Sequence, residues 1–212
     1  MAVIIPGILT SDEKEYKQWL LVAERASGLV QIDVVDGKFA NNKTIGTDVI
    51  LKYPSSCKLE VQLMVTSPID YVKRLKSAEY IWRIIFPFEI AGDRTEVIDL
   101  IKKSGRRAGL SINPETPLYA ISSLMEKIDL LCIFSASPGF SGKKLSEMTY
   151  ERIKEARASK PKLPLEVDIG VNFETAPKLA QAGADFLVAT SVLKNSDNYY
   201  KTYKKLVKLV EN

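Results

Sequence analysis

The chain has 212 residues, 46% of them hydrophobic and 26% charged, a composition that excludes collagen-like, disulfide-scaffold and intrinsically disordered classes. Its 30 Lys and Arg residues against 26 Asp and Glu leave a formal charge of +4, too small an excess to indicate a nucleic-acid partner. There is no histidine, so Ser–His–Asp and Cys–His catalysis and imidazole-ligated metal sites are excluded.

Short β-rich apolar runs alternate with amphipathic segments along the whole chain. The amphipathic segments carry helix start signals: a capping-box pattern at Thr10 and Glu13, Ser67 before Pro68, and Asp93 before Glu96. The last segment, 199–210, has an apolar stripe opposite a lysine-rich face that is typical of a solvated helix surface. The apolar runs, in chain order, are AVIIPGIL, LVQIDVVD, KLEVQLMV, YIWRIIFPF, RAGLSIN, DLLCIFSAS, PLEVDIGV and ADFLVATSVL.

Eight strand–helix units in one unbroken chain predict an α/β fold, a TIM (β/α)8 barrel, as a single domain over residues 1–212. An open doubly wound sheet is the alternative, but the first strand leads into PGILTSDE and not into a glycine-rich turn. Cys57 and Cys132 are far apart in apolar runs and are expected to be reduced. We read no signal peptide and no membrane span, and expect a cytoplasmic protein.

In such a barrel, function is expected at the carboxyl ends of the strands. Alternation along the second strand places Gln31 and Asp33 on one face, and along the third strand Gln62 and Met64 share a face. The seventh strand ends at Asp168. Asp33 and Asp168 could therefore face one another across the barrel mouth, a pair suited to removing a proton from one face of a carbon and delivering one to the other.

A second group of residues suits an anion. The sixth strand runs into SPGFSGKK, and the loops after the seventh and eighth strands are the usual phosphate site of a TIM barrel. Backbone N–H groups of small residues can cradle a phosphate. The candidate phosphate-binding residues are Gly139, Ser141, Gly142, Gly170, Thr190 and Ser191.

Seven motifs in order resemble the ribulose-phosphate 3-epimerase family: IPGIL at 5–9, DVVDGKF at 33–39, LEVQLM at 59–64, NPETPL at 113–118, SASPGFSG at 135–142, EVDIG at 166–170 and AGADFLVATS at 182–191. The resemblance spans almost the whole chain. It implies a ribulose-phosphate-binding barrel that interconverts D-ribulose 5-phosphate and D-xylulose 5-phosphate. It also implies that Asp33 and Asp168 act as acid and base at C3, and that Gly142, Gly170 and Ser191 hold the phosphate.

The chain departs from the family pattern at the positions that hold a divalent metal. In that pattern two histidines join the two aspartates as ligands; here they are Gln31 and Gln62, and the histidine after Asp-Gly is Lys38. Four further departures reshape the pocket. Gly7 stands where the pattern has serine, and Ile169 and Thr190 stand where it has glycine. Phe134 also differs from the residue of the pattern.

Two interpretations of the glutamines follow. If a metal is bound, Asp33 and Asp168 with the amide oxygens of Gln31 and Gln62 would favour Mg²⁺ or Mn²⁺ over Zn²⁺ or Fe²⁺. Alternatively, the amide NH₂ groups of Gln31 and Gln62 face the ketone and enediolate oxygens, with Lys38 adding positive charge if it reaches inward. The glutamines could also simply satisfy a polar pocket.

The sequence therefore predicts an isomerase that transfers protons at C3 of a ketose phosphate through two aspartates. The alternatives are a catalytically silent sugar-phosphate-binding barrel and an epimerase for another ketose phosphate, such as a hexulose 6-phosphate. The expected partner is a small sugar phosphate, with no nucleic acid and no membrane, and the resemblance is compatible with a homo-oligomer.

Overall fold

Eight parallel strands form a closed barrel in the computed structural model, which describes residues 1–211. Each strand pairs with its neighbours in sequence, and the last strand closes on the first. The predicted TIM barrel is therefore confirmed. The strands are β1 Val3–Ile8, β2 Leu29–Val35, β3 Lys58–Met64, β4 Ile81–Pro87, β5 Arg107–Ile112, β6 Leu130–Phe134, β7 Leu165–Asp168 and β8 Phe186–Ala189.

Helices follow the strands and pack around the barrel. After β5 the chain forms only a short 3₁₀ helix, Leu118–Ile121, where we had expected a helical stretch like the others. Pro114 and Pro117 precede it and lack the N–H groups that a longer helix would use. The α-helices are α1 Glu13–Ala26, α2 Thr47–Lys52, α3 Pro68–Leu75, α4 Arg94–Lys103, α5 Met148–Ser159, α6 Thr175–Ala182, α7 Ser191–Lys194 and α8 Tyr199–Val210.

Most helix starts match the sequence signals. Ser67 and Asp93 directly precede α3 and α4. The predicted cap of α1 is wrong by two residues, because Asp12, not Thr10, accepts a hydrogen bond from the N–H of Glu15 at 2.8 Å. The hydroxyl of Thr10 instead bonds the Glu15 carboxylate.

Two apolar clusters stabilise the barrel. The larger lies between strands and helices. The smaller lies inside the barrel and includes Cys132 and Phe134. Both cysteines are free thiols; Cys132 is buried and Cys57 half-buried. Among residues 1–211, no helix combines the length and hydropathy needed to cross a membrane.

A buried ion cluster also lies inside the barrel. The guanidinium of Arg83 on β4 pairs with Glu60 on β3 and with Oε2 of Glu166 on β7, the latter at 2.9 Å. All three side chains are almost fully excluded from solvent. Burial raises the pKa of Glu166 well above its usual range, and the charge of Glu60 raises it further. Glu166 precedes Asp168 by two residues on the same strand, so this cluster lies close to the candidate site.

Candidate active site

A cleft opens at the carboxyl ends of the strands, where TIM barrels place their active sites. The loops after β6, β7 and β8 form one wall and the ends of β2 and β3 another. Nine of the residues selected from the sequence line it together: Asp33, Met64, Gly139, Ser141, Gly142, Asp168, Gly170, Thr190 and Ser191.

The two aspartates are joined by one amide. Nε2 of Gln31 donates to Oδ1 of Asp33 at 2.8 Å and to Oδ2 of Asp168 at 3.0 Å. Gln31 is fully buried, and the aspartates are 4% and 6% exposed. Asp33 comes from β2 and Asp168 from β7, so the sequence correctly placed two distant carboxylates at one site.

Both carboxyl groups hold their protons more tightly than ordinary aspartates. Burial raises the pKa of Asp33 well above its usual range, and the charge of Asp168 raises it further. Burial also raises the pKa of Asp168, to about 6, although the hydrogen bonds from Gln31 and from the main chain of Ile169 oppose the shift. Two neighbouring carboxyl groups with raised pKa values, joined by one amide, are suited to exchanging protons with a ligand.

Backbone contacts fix the two aspartates. The N–H of Ile169 donates to Oδ1 of Asp168 at 2.6 Å, and the Ser135 hydroxyl donates to the carbonyl of Ile169 at 2.7 Å. On β2, the Thr44 hydroxyl donates to the carbonyl of Asp33 at 2.7 Å. Among residues 1–211 no protein group donates to Oδ2 of Asp33, so this oxygen is free to meet a ligand.

The loops opposite the aspartates offer unused N–H groups. Within the described chain, the N–H groups of Gly142 and Gly170 donate to no other protein group. Both residues have positive φ, 81° and 78°. A Cβ on Gly170 would lie 2.8 Å from the main-chain nitrogen of Leu145, so only glycine fits there. Such N–H groups are suitable donors to an anion.

Two departures from the family pattern touch one another. A Cβ at Gly7 would overlap Oγ1 of Thr190 on the neighbouring strand end. The pattern has serine at the first position and glycine at the second. The hydroxyl-bearing side chain therefore lies at the end of β8 in this chain and on β1 in the family pattern, and the two positions share nearly the same space.

The structure gives the amide groups of both glutamines partners within the protein. The amide nitrogen of Gln31 faces the two aspartates, and that of Gln62 donates to Ser111 Oγ at 3.0 Å. Lys38 does not reach inward: it is exposed, because its N–H and that of Phe39 bond the Asp36 carboxylate and turn the loop outward.

The donor set does not fit a divalent ion. No group of three or more His, Cys, Asp or Glu side chains within residues 1–211 could hold one. The Gln31 atom beside both carboxylates is a nitrogen that donates, whereas Mg²⁺ and Mn²⁺ bind oxygen. Coordination through the Gln31 oxygen would require the amide to turn and break both hydrogen bonds.

The sequence did not identify several apolar residues that shape the cleft. Phe140 lies within the SPGFSG motif, so its position between two candidate residues was a usable signal. Leu9 and Val171 follow β1 and β7, Val188 lies within β8, and apolar residues at these places gave no signal of a cleft. The residues missed are Leu9, Phe140, Val171 and Val188.

Comparison of the sequence with known proteins identifies a family. The profile of the Ribulose-phosphate 3 epimerase family matches residues 3–193. The chain is 31% identical over 214 residues to ribulose-phosphate 3-epimerase of Bacillus subtilis, covering 97% of this chain and 98% of that one. It is 32% identical over 212 residues to the enzyme of the same name from Escherichia coli K12, with 96% and 94% coverage.

Solved structures share the fold at low sequence identity. A 3-hexulose-6-phosphate synthase from Salmonella typhimurium superposes with a TM-score of 0.72 at 15% identity, covering 98% of this chain and 97% of that one. Tryptophan synthase from Mycobacterium tuberculosis superposes with a TM-score of 0.74 at 14% identity, covering 100% of this chain and 93% of that one. At these identities the likeness concerns the barrel alone.

Proposed function

The chain belongs to the ribulose-phosphate 3-epimerase family, and from that premise we propose that it is an isomerase that epimerises C3 of a ketose 5-phosphate, interconverting D-ribulose 5-phosphate and D-xylulose 5-phosphate. The observation that carries the proposal is the pair of buried aspartates, Asp33 and Asp168, in the same cleft as the glycine loops. A protein that only binds a sugar phosphate has no need of two opposed carboxyl groups.

The phosphate end of the substrate is assigned to the loops after β6, β7 and β8. Their unused N–H groups at Gly142 and Gly170, with the hydroxyls of Thr190 and Ser191, are donors to phosphate oxygens. Binding there would place the ketose carbons over the ends of β2 and β7, beside the aspartates.

The proton transfer is assigned to the two carboxyl groups acting in turn. Asp168, with its pKa of about 6, is ionised at neutral pH and is the base that takes the C3 proton. A raised pKa makes a carboxylate a stronger base. Asp33, acting as the acid, delivers its proton to the opposite face of C3, and Asp168 keeps the proton that it removed. The reverse reaction exchanges the two roles.

The substrate proposed is a pentulose and not a hexulose. The proposal is supported by the two relatives named ribulose-phosphate 3-epimerase and by Phe134 and Ile169, two buried side chains that line the cleft.

Proton exchange at C3 tests the proposal. Incubation with D-ribulose 5-phosphate in D₂O should place deuterium at C3 of the xylulose product. Asp33→Asn and Asp168→Asn should each lower the exchange rate by about 10³-fold or more, whereas the same change at exposed Asp70 in α3 should not. Saturable binding of the ketose phosphate without exchange would instead show a silent sugar-phosphate-binding barrel.

A further inference from the structure

We propose that Gln31 is a positioning residue that holds Asp33 and Asp168 as a working pair in place of a divalent ion, so that epimerisation by this chain requires no metal. The inference rests on the proposed function. It assigns to one side-chain amide the structural task that the family pattern gives to a metal with two histidines.

The bridge uses the whole donor capacity of the amide. Nε2 carries two hydrogens, and each is directed at a different aspartate, at 2.8 and 3.0 Å. No other side chain among residues 1–211 contacts both carboxyl groups through hydrogen bonds. Loss of the amide would therefore leave the two aspartates attached only through their own strands.

The position of Gln31 is itself rigid. It lies in β2, paired in register with Gly7 of β1 and with Glu60 of β3, and its side chain is fully buried. Asp33 follows two residues later on the same inward face. The amide is thus held below the carboxyl groups by main-chain pairing on both sides, as a positioning residue requires.

A neutral amide suits a pair that must share a proton. A divalent ion between two carboxylates favours the ionised form of both. The amide brings no net charge, so it orients the carboxyl groups without expelling the proton that the reaction has to deliver.

Gln62 provides a natural comparison. It occupies the other histidine position of the pattern, is equally buried, and donates to Ser111 at 3.0 Å instead of to an aspartate. The two glutamines have the same chemistry and the same burial, and they differ in whether they contact the aspartates. Replacing each by leucine therefore separates the loss of the bridge from the loss of a buried amide.

The first experiment measures metal and does not depend on activity. The purified chain is dialysed against EDTA, exposed to Mn²⁺ or Zn²⁺, desalted and analysed for metal. Wild type should retain no stoichiometric ion. The double variant Gln31→His/Gln62→His, which restores the family pattern, should retain one, and adding Asp33→Asn should abolish it. A stoichiometric ion in wild type would overturn the proposal.

The second experiment measures C3 exchange. Wild type should be unaffected by EDTA, whereas the double histidine variant should become dependent on added metal. Gln31→Leu should lower kcat about 100-fold with KM changed less than about threefold, because misplaced reacting groups cost rate more than binding. Gln62→Leu should lower kcat less than about tenfold. Metal-dependent exchange by wild type, or equal losses in the two leucine variants, would contradict the inference.

The outcomes distinguish this inference from the proposed function. If wild type exchanges no ketose phosphate with or without metal, the proposed function fails, while the metal analysis still decides whether Gln31 takes the place of the ion. If Gln31→Leu does not fold, as judged by circular dichroism, the wild-type and double-histidine measurements decide alone.

Discussion

The main-chain N–H of Ile169 donates a 2.6 Å hydrogen bond to Oδ1 of Asp168 while its own φ is 76°. Ile169 is the one non-glycine residue among residues 1–211 with a positive φ, and that region is strongly unfavourable for a β-branched residue. The family pattern has glycine here. The chain has kept the glycine conformation, which aims the N–H at Asp168, while adding a side chain that fills the cleft.

Two substitutions of Ile169 should separate the cost of its backbone strain from the benefit of burying its side chain. Ile169→Gly relieves about 1–2 kcal/mol of backbone strain and loses about 1.5–3 kcal/mol of apolar burial, so the free energy of unfolding should fall by no more than about 2 kcal/mol. Ile169→Ala loses the burial and keeps the strain, and should be less stable than the glycine variant, by about 1 kcal/mol. Urea unfolding of both variants checks the order; a more stable alanine variant would contradict it.

The same substitution should change substrate preference. Ile169→Gly enlarges the cleft beside the aspartates, so its kcat/KM for a hexulose 6-phosphate relative to D-ribulose 5-phosphate should rise about tenfold or more, the usual effect of one or two buried carbons. Competition between the two substrates measures the ratio directly. An unchanged ratio would show that Ile169 does not limit substrate size.

Lowering the pH should decrease the activity and increase the contribution of Asp168 to the stability of the fold. Asp168 has a folded-state pKa of about 6, so protonation removes the base, and kcat/KM should fall about tenfold per pH unit below that value. Because this pKa is raised above the ordinary 3.8 of an unfolded aspartate, the carboxyl stabilises the fold fully below about pH 4. That contribution is lost as the pH rises through 6.

Paired measurements between pH 4 and 7 check this opposition. Rate profiles for C3 exchange should show the acid limb near pH 6, and the free energy of unfolding should decrease across the same interval. An acid limb near pH 4 would mean that Asp168 behaves as an ordinary exposed aspartate.

Removing the cation from the ion cluster inside the barrel should destabilise the fold. Arg83→Met leaves Glu60 and Glu166 buried without their cation, and should lower the free energy of unfolding by about 3–5 kcal/mol at neutral pH. The loss should shrink in acid as Glu166, whose pKa burial raises, becomes protonated. Lys154→Met, which breaks an exposed pair with Glu151, should cost less than about 1 kcal/mol. Similar losses in the two variants would contradict the assigned role of burial.

Gly7 and Thr190 should behave as a coupled pair. Gly7→Ser alone places a Cβ against Oγ1 of Thr190 and should destabilise the chain by about 1–3 kcal/mol. In the background Thr190→Gly the same substitution should be tolerated, giving a coupling energy of about 1–3 kcal/mol. A double-mutant cycle by urea unfolding measures it, and additive effects would show that the two side chains do not share the space.

The sequence predicted the barrel because eight apolar runs alternate with amphipathic segments, three of which carry helix start signals. It also placed both aspartates and the glycine loops, since each follows a strand end and the strand ends meet at one face. It did not predict the bonds between those residues. Whether the Gln31 amide faces a ligand or an aspartate depends on side-chain rotation, and the pairing of Arg83 with Glu166 depends on which strands lie across the barrel. Neither is encoded in local periodicity.

The space shared by positions 7 and 190 makes their side chains alternatives to one another in this barrel. A Cβ at position 7 would overlap Oγ1 of Thr190, so the junction of β1 and β8 holds one hydroxyl-bearing side chain and not two. A design that returns serine to β1 must therefore also shorten residue 190.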